Sequence, residues 1–276
     1  ANGTLDSSFG SAGVVTLDLS PSDESLSVVL VQPDGRIVAV GLSNVQVGVS
    51  HLGNPVYRGH VTIARLNSGG SLDTTFGIAG IATTDADSAV HSAALQADGK
   101  IVVTGTSGIL LRYDSSGSLD PSFGTSTIFI YDAPNRLEGS SGTTAHEFTV
   151  HRLGGIVPIS FTGTLEIQPS DGRLLVGGTI NGDFAVARYD AAPGCSPATT
   201  ATVDFATADG TAAAASDYTA ASGTLILMVG ETQTVVIQAL GDTDLEGSED
   251  FFVNLSGAIG ASIRRGQGRT FIVNDD

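Results

Sequence analysis

The sequence predicts an all-β protein in two parts: an array of repeated β units over residues 1–194 and a separate β-sandwich over residues 195–276. Three observations carry this reading. Gly is very frequent, at 36 of 276 residues, and only 15% of residues are charged, a profile of short strands joined by tight turns rather than of helices. The first part carries the same short elements three times over. Beyond it the repeat stops, yet short runs of alternating apolar residues separated by turns continue to the end, as a sandwich requires.

The repeat can be read element by element. Leu5-Asp6-Ser7-Ser8-Phe9-Gly10 returns as Leu72-Asp73-Thr74-Thr75-Phe76-Gly77 and as Leu119-Asp120-Pro121-Ser122-Phe123-Gly124. Gln32-Pro33-Asp34-Gly35-Arg36-Ile37-Val38 returns as Gln96-Ala97-Asp98-Gly99-Lys100-Ile101-Val102, and a third copy runs from Gln168 through Asp171-Gly172 to Leu175. Strands ending in Arg65, Arg112 and Arg188 follow. Pro-Asp-Gly between apolar runs makes a tight hairpin, because Pro presets the first turn residue and Gly supplies the left-handed conformation. Val28 to Val31 and Ile37 to Val40 are then its strands. Nearly continuous apolar runs imply cover on both faces, so the units must stack, with the Phe of each turn plugging the junction between neighbours.

These residues resemble the delta-60 repeat of large secreted and surface proteins of bacteria. The resemblance implies a propeller-like or solenoid-like array. Two insertions interrupt the spacing, near Val45 to Gly59 and near Asn135 to Thr164. The second holds His146, Glu147 and His151, in an order unlike a metalloprotease helix, and reads as a decorated loop. The chain begins inside one repeat, at Asn2 to Asp6, and the third stops near Gly194. Either these ends meet within one molecule, or the start of one subunit completes the end of another.

In the second part, Gly241 to Phe252 concentrates five carboxylates: Asp242, Asp244, Glu246, Glu249 and Asp250. Carboxylates this crowded repel one another unless protons or a cation neutralise them, and Ca²⁺ takes six to eight hard oxygen ligands in a loose geometry. Around this loop stand Asp209-Gly210-Thr211-Ala212, Ser216-Asp217-Tyr218, Gly230-Glu231-Thr232, Glu246-x-x-Glu249-x-Phe251 and a closing Asn274-Asp275-Asp276. In that order they resemble a Calx-beta domain, an immunoglobulin-like β-sandwich, over about residues 200–276. The resemblance implies calcium, with Asp209, Asp242, Glu246, Glu249, Asp275 and Asp276 as the metal ligands by position. It leaves Asp217 to brace a turn beside Tyr218. A complete domain of that family opens with two further strands carrying a Val-x-Glu signature. Only Pro197 to Thr200 precedes the first recognised strand here. A sandwich lacking its first strands leaves a row of unpaired backbone groups that another strand can fill. The segment from Thr143 to Phe161 could fill it in the same molecule, or a second subunit could.

Composition sets the outer limits. The formal net charge is −17 and Lys100 is the sole lysine, which disfavours nucleic acid and anionic membrane. No apolar run approaches the roughly 20 residues of a membrane helix. The lone cysteine, Cys195, sits in a Pro/Gly linker and precludes an internal disulfide framework. No G-x-S-x-G, His-Glu-x-x-His or phosphate-loop motif is present, so catalysis is not expected. The sequence reading is of a secreted or cell-surface structural or adhesion protein, stabilised by Ca²⁺. It would assemble head to tail with copies of itself by strand complementation. The alternative is a monomeric extracellular module whose repeat loops bind glycan or protein.

Overall fold

The computed structural model describes residues 3–275 except 21, 23, 51, 87, 107–108, 159–162, 169–172, 181–182, 190–199 and 244. The third Asp-Gly turn at Asp171-Gly172, the Cys195 linker and Asp276 therefore lie outside the described residues. The protein is all-β and divides into two compact units. The first comprises residues 1–45, 57–123 and 155–194; the second comprises 46–56, 124–154 and 195–276.

In the first unit, β1 (Ser25–Val31), β2 (Ile37–Val49), β3 (Pro55–Leu66) and β4 (Ile81–Thr84) form one sheet in sequential order. The tip between β2 and β3 is counted with the second unit. Next come β5 (Val90–Leu95), β6 (Ile101–Gly105) and β7 (Ile109–Tyr113), each antiparallel to its neighbour. A third, three-stranded sheet follows: β11 (Gly163–Ile167), β12 (Leu174–Ile180) and β13 (Asp183–Tyr189). The hairpin turns form as their residues require. Gln32 N–H donates to Arg36 O at 2.8 Å, and Gly35 takes φ 84°; Gln96 and Lys100 repeat the bond at 2.8 Å, with Gly99 at φ 83°.

The Leu-Asp-x-x-Phe-Gly turns at Leu72 and Leu119 are junctions built to one plan. Asp73 Oδ1 accepts from the N–H and hydroxyl of Thr75, as Asp120 Oδ1 does from Ser122. Their other oxygens receive the preceding strand's arginine, Arg65 Nε at 2.8 Å and Arg112 Nε at 2.9 Å. Each guanidinium also lies over the Phe of the same turn, 4.6 Å from the Phe76 ring centroid and 4.4 Å from that of Phe123. Both rings are buried, and Phe123 shares one apolar cluster with Val102, Leu110, Leu165, Leu174 and Val176. A buried charge needs a partner and hydrogen bonds; these two junctions supply both and stack the arginine on the plug.

The second unit is a sandwich. One sheet has the order β15 (Ser222–Met228), β14 (Thr200–Asp209), β17 (Glu249–Ile259), β19 (Gln267–Val273) and β9 (Arg136–Leu137). The other has β18 (Ser262–Arg265), β8 (Thr125–Ile130), β10 (Gly142–Pro158) and β16 (Thr232–Gly241). Ile128, Ile130, Phe148 and Val150 from the early segment pack in one core with Val203, Ile237, Phe251 and Val253. The division therefore differs from the one at residue 194. Residues 124–154 complete the sandwich, and the third repeat is threaded between its two sequence segments.

The first-strand places left open by residues 200–276 are accordingly held by the same chain. β10 pairs with β16 over ten residues, from Gly142↔Gly241 to His151↔Thr232. β8 runs parallel to β18, and β9 parallel to β19. Arg152, wholly buried, locks this arrangement by donating to Leu227 O at 2.7 Å and Ser126 Oγ at 3.0 Å. The histidines of this segment are structural. His146 is wholly buried, bonds Thr270 Oγ1 through Nδ1 at 2.9 Å and meets the Phe251 ring edge-on. Burial pushes its pKa down to about 4.

Candidate metal centre

The site lies at the end of the sandwich where β14 leaves, β17 enters and β19 finishes. Asp250, the second residue of β17, clamps the loop after β14. Its Oδ1 accepts from the N–H and hydroxyl of Thr211, both at 2.9 Å, and its carbonyl accepts from Ala212 N–H at 3.0 Å. Gly210 is required by this closeness, since a Cβ there would sit 2.4 Å from Asp250 O. Asp250 is held below the usual carboxylate range, chiefly by the Thr211 N–H and also by Arg269.

The next turn places Asp209 and Asp217. Asp209 Oδ1 accepts from the Tyr218 hydroxyl at 2.5 Å and from Ala214 N–H at 2.9 Å, which lowers its pKa and contributes to raising that of Tyr218, above all through burial, to about 12. The Tyr218 ring stacks on Phe251 with centroids 4.5 Å apart. Asp209 thus braces the turn, and Asp217 does so too, its Oδ2 accepting from Ala213 N–H at 2.6 Å. Asp217 also reaches the acidic loop. The bracing of the turn by Asp217 is the role the sequence suggests for it; its place in the carboxylate cluster is an addition.

Asp217, Glu246 and Glu249 bring one carboxylate oxygen each within 4.8 Å of one another. Glu249 is pushed up to about 7, first by burial, then by its bond to and repulsion from Asp217, then by Glu246 and Glu138. Glu138 is the residue that sequence reasoning missed. It follows β9 and is buried; its N–H donates to Val273 O at 3.1 Å, and its Oε1 accepts from Asn274 Nδ2 at 3.0 Å. Asp275 closes the same corner by accepting from Gly139 N–H at 3.0 Å. Gly241 makes room for this crossing, because a Cβ there would lie 2.1 Å from Gly139 O. Asp242 directly follows β16 and, like Asp209 and Asp275, is not a member of the close triad. Asp276 lies outside the described residues. The donors are all hard carboxylate oxygens on loops of one end, with mutual repulsion that a proton or a divalent cation relieves.

Together the two units define a protein of stacked β repeats joined to a carboxylate-tipped sandwich, and comparison with known proteins gives each part a family. Residues 194–275 match the Calx-beta domain, and residues 57–76, 96–123 and 170–192 match a domain of unknown function, DUF5122, described as a beta-propeller. Over 59 residues the chain is 51% identical to sodium/calcium exchanger 1 of Mus musculus, a match spanning 21% of this chain and 6% of the exchanger. Among solved structures, the apo-form Calx CBD1 domain is similar with a TM-score of 0.36 and 19% identity, covering 55% of this chain and 99% of that one. CBD12 from CALX1.2 gives a TM-score of 0.33 and 20% identity, covering 54% of this chain and 44% of that one. No helix of the protein is long and apolar enough to cross a membrane, among the described residues.

Proposed function

We propose that this protein is an extracellular or cell-surface structural module whose sandwich is stiffened by Ca²⁺. The observation that carries the reading is the triad Asp217, Glu246 and Glu249, with Glu138 close enough to raise the proton affinity of Glu249. Ca²⁺ fits better than a softer metal because every candidate donor is a carboxylate oxygen, and its tolerance of irregular geometry suits ligands from several loops. Asp242, directly after β16, and Asp275, just after β19, add further carboxylates at the same end. The exchanger matched over part of this chain is named for sodium and calcium, which is consistent with the assignment. Strand exchange into the sandwich forms no part of this reading, since β8, β9 and β10 occupy those places.

Binding to the folded state alone raises the melting temperature in proportion to ln(1 + [Ca²⁺]/Kd). The expected result is a higher melting temperature in millimolar calcium than in chelator, with most of the increment lost in Glu249→Gln. An unchanged melting temperature in the parent protein would remove the metal assignment.

A further inference from the structure

The second repeat does not take its fourth strand from where the first takes its own. In the first repeat β4 follows the Leu72–Gly77 turn at once. It is anchored there by Ile78 N–H to Ile81 O at 2.7 Å and Ile81 N–H to Ile78 O at 3.1 Å, and it pairs with β3 from Ala64↔Ile81 to Val61↔Thr84. After the matching turn at Leu119–Gly124 the chain enters β8, which pairs with β18 of the sandwich instead. The place beside β7 is taken by the end of β10, as Ile156↔Leu111, Val157↔Leu110 and Pro158↔Ile109. This is the register of β3 and β4, since Leu111 precedes Arg112 as Ala64 precedes Arg65.

The two parts of β10 are held unequally. Gly142 to His151 pair with β16 throughout. Just beyond, Arg152 is fixed by the turn after β15. Its N–H donates to Glu231 O at 3.0 Å, its carbonyl accepts from Gly230 N–H at 2.9 Å, and its guanidinium donates to Leu227 O at 2.7 Å. Gly154 packs so closely there that a Cβ would lie 2.5 Å from Val229 Cγ1. Residues 156–158 have only three pairings, and Pro158 brings no N–H to the ladder. A ladder this short has little stability of its own. Yet the strand whose edge it covers, β7, is buried from Ile109 to Tyr113.

We propose that the sandwich latches the second repeat: residues 156–158 stay on β7 only while residues 142–154 are held in the sandwich. Opening the sandwich then strips this repeat of its fourth strand. β4 has no such dependence, because its own turn anchors it. Once uncovered, the edge of β7 presents unpaired backbone groups, and such an edge accepts another extended segment. The stability of the sandwich therefore sets how often that edge is open. The inference rests on strand pairing and is independent of the metal assignment.

Native-state hydrogen exchange on the 276-residue protein tests it. The probes are the β7 amides turned toward residues 156–158, the amides of β14 and β17, and those of the β3–β4 ladder as a control. In rising, sub-denaturing urea the first two sets should converge on one opening equilibrium, while the β3–β4 set opens separately. This series uses the parent chain alone, so the outcome does not hang on any variant folding. Val253→Ala weakens the sandwich core at a residue remote in sequence from β10. It should speed exchange at β14, β17 and the β7 edge by a common factor, on the order of tenfold or more, and leave β3–β4 at its parent rate. Phe148→Ala, on β10 itself, should reproduce the pattern. β7 amides that keep their protection while β14 and β17 open would overturn the latch. Equal acceleration of the β3–β4 ladder would overturn it too, since that marks unfolding of the whole chain.

Discussion

Glu249 is the residue on which the chemistry of the sandwich turns, and its proton affinity gives a prediction with a definite sign. Its carboxyl sits at about 7 in the fold against an ordinary value of 4.5. Between these values the folded state binds more protons than the unfolded one, so stability falls as pH rises through that window. Metal-free protein should therefore melt at a higher temperature near pH 5 than near pH 8, as far as this group governs, and Glu249→Gln should flatten the difference. Thermal scans in chelator across that range check it; a wild-type profile identical to that of the variant would contradict it. Glu246 and Glu249 were legible as a pair because they lie three residues apart in one loop. The bracing role of Asp217 was legible from its place beside Tyr218, but its approach to that loop was not, because it depends on how the turn packs where the Tyr218 ring stacks on Phe251. Glu138 was still less legible. It is preceded by Arg136-Leu137 rather than a Val-x-Glu pattern, and it meets β19 only across the whole third repeat.

At the scale of elements, the hairpins and junction turns were readable because their chemistry is local. Asp-Gly sets a turn wherever it occurs, and Asp followed two residues later by Ser or Thr closes its own small loop. The plugging role of Phe76 and Phe123 follows from the same spacing and from burial. The origin of β8, β9 and β10 is a different matter. Their partners lie about 80 to 140 residues further on, so no local pattern assigns them to the sandwich rather than to the repeats. Their importance is measurable. Phe148 is wholly buried against the Phe251 ring, and truncating such a side chain costs about 3–5 kcal/mol. Phe148→Ala in the whole chain should lower sandwich stability by that order in denaturant titration. A loss below about 1 kcal/mol would contradict a core shared between the early segment and residues 200–276.

At the scale of the whole molecule, both families were legible, since each is carried by motifs that survive as short strings. The order in which the chain uses them was not: the sandwich is split in sequence and takes its first strands from ahead of the third repeat. The net charge of −17 is gathered in part at the sandwich end, where like charges share one small volume. That arrangement is costly without a counter-ion and advantageous with one, which is why cation binding is the centre of the account. The most direct measurement is calorimetric titration of calcium into the whole protein at pH 7, repeated in buffers of different ionisation enthalpy. The account predicts saturable binding accompanied by release of the proton held at Glu249, the release vanishing well above pH 7. Titration with no saturable heat, or binding whose heat is the same in every buffer, would contradict it.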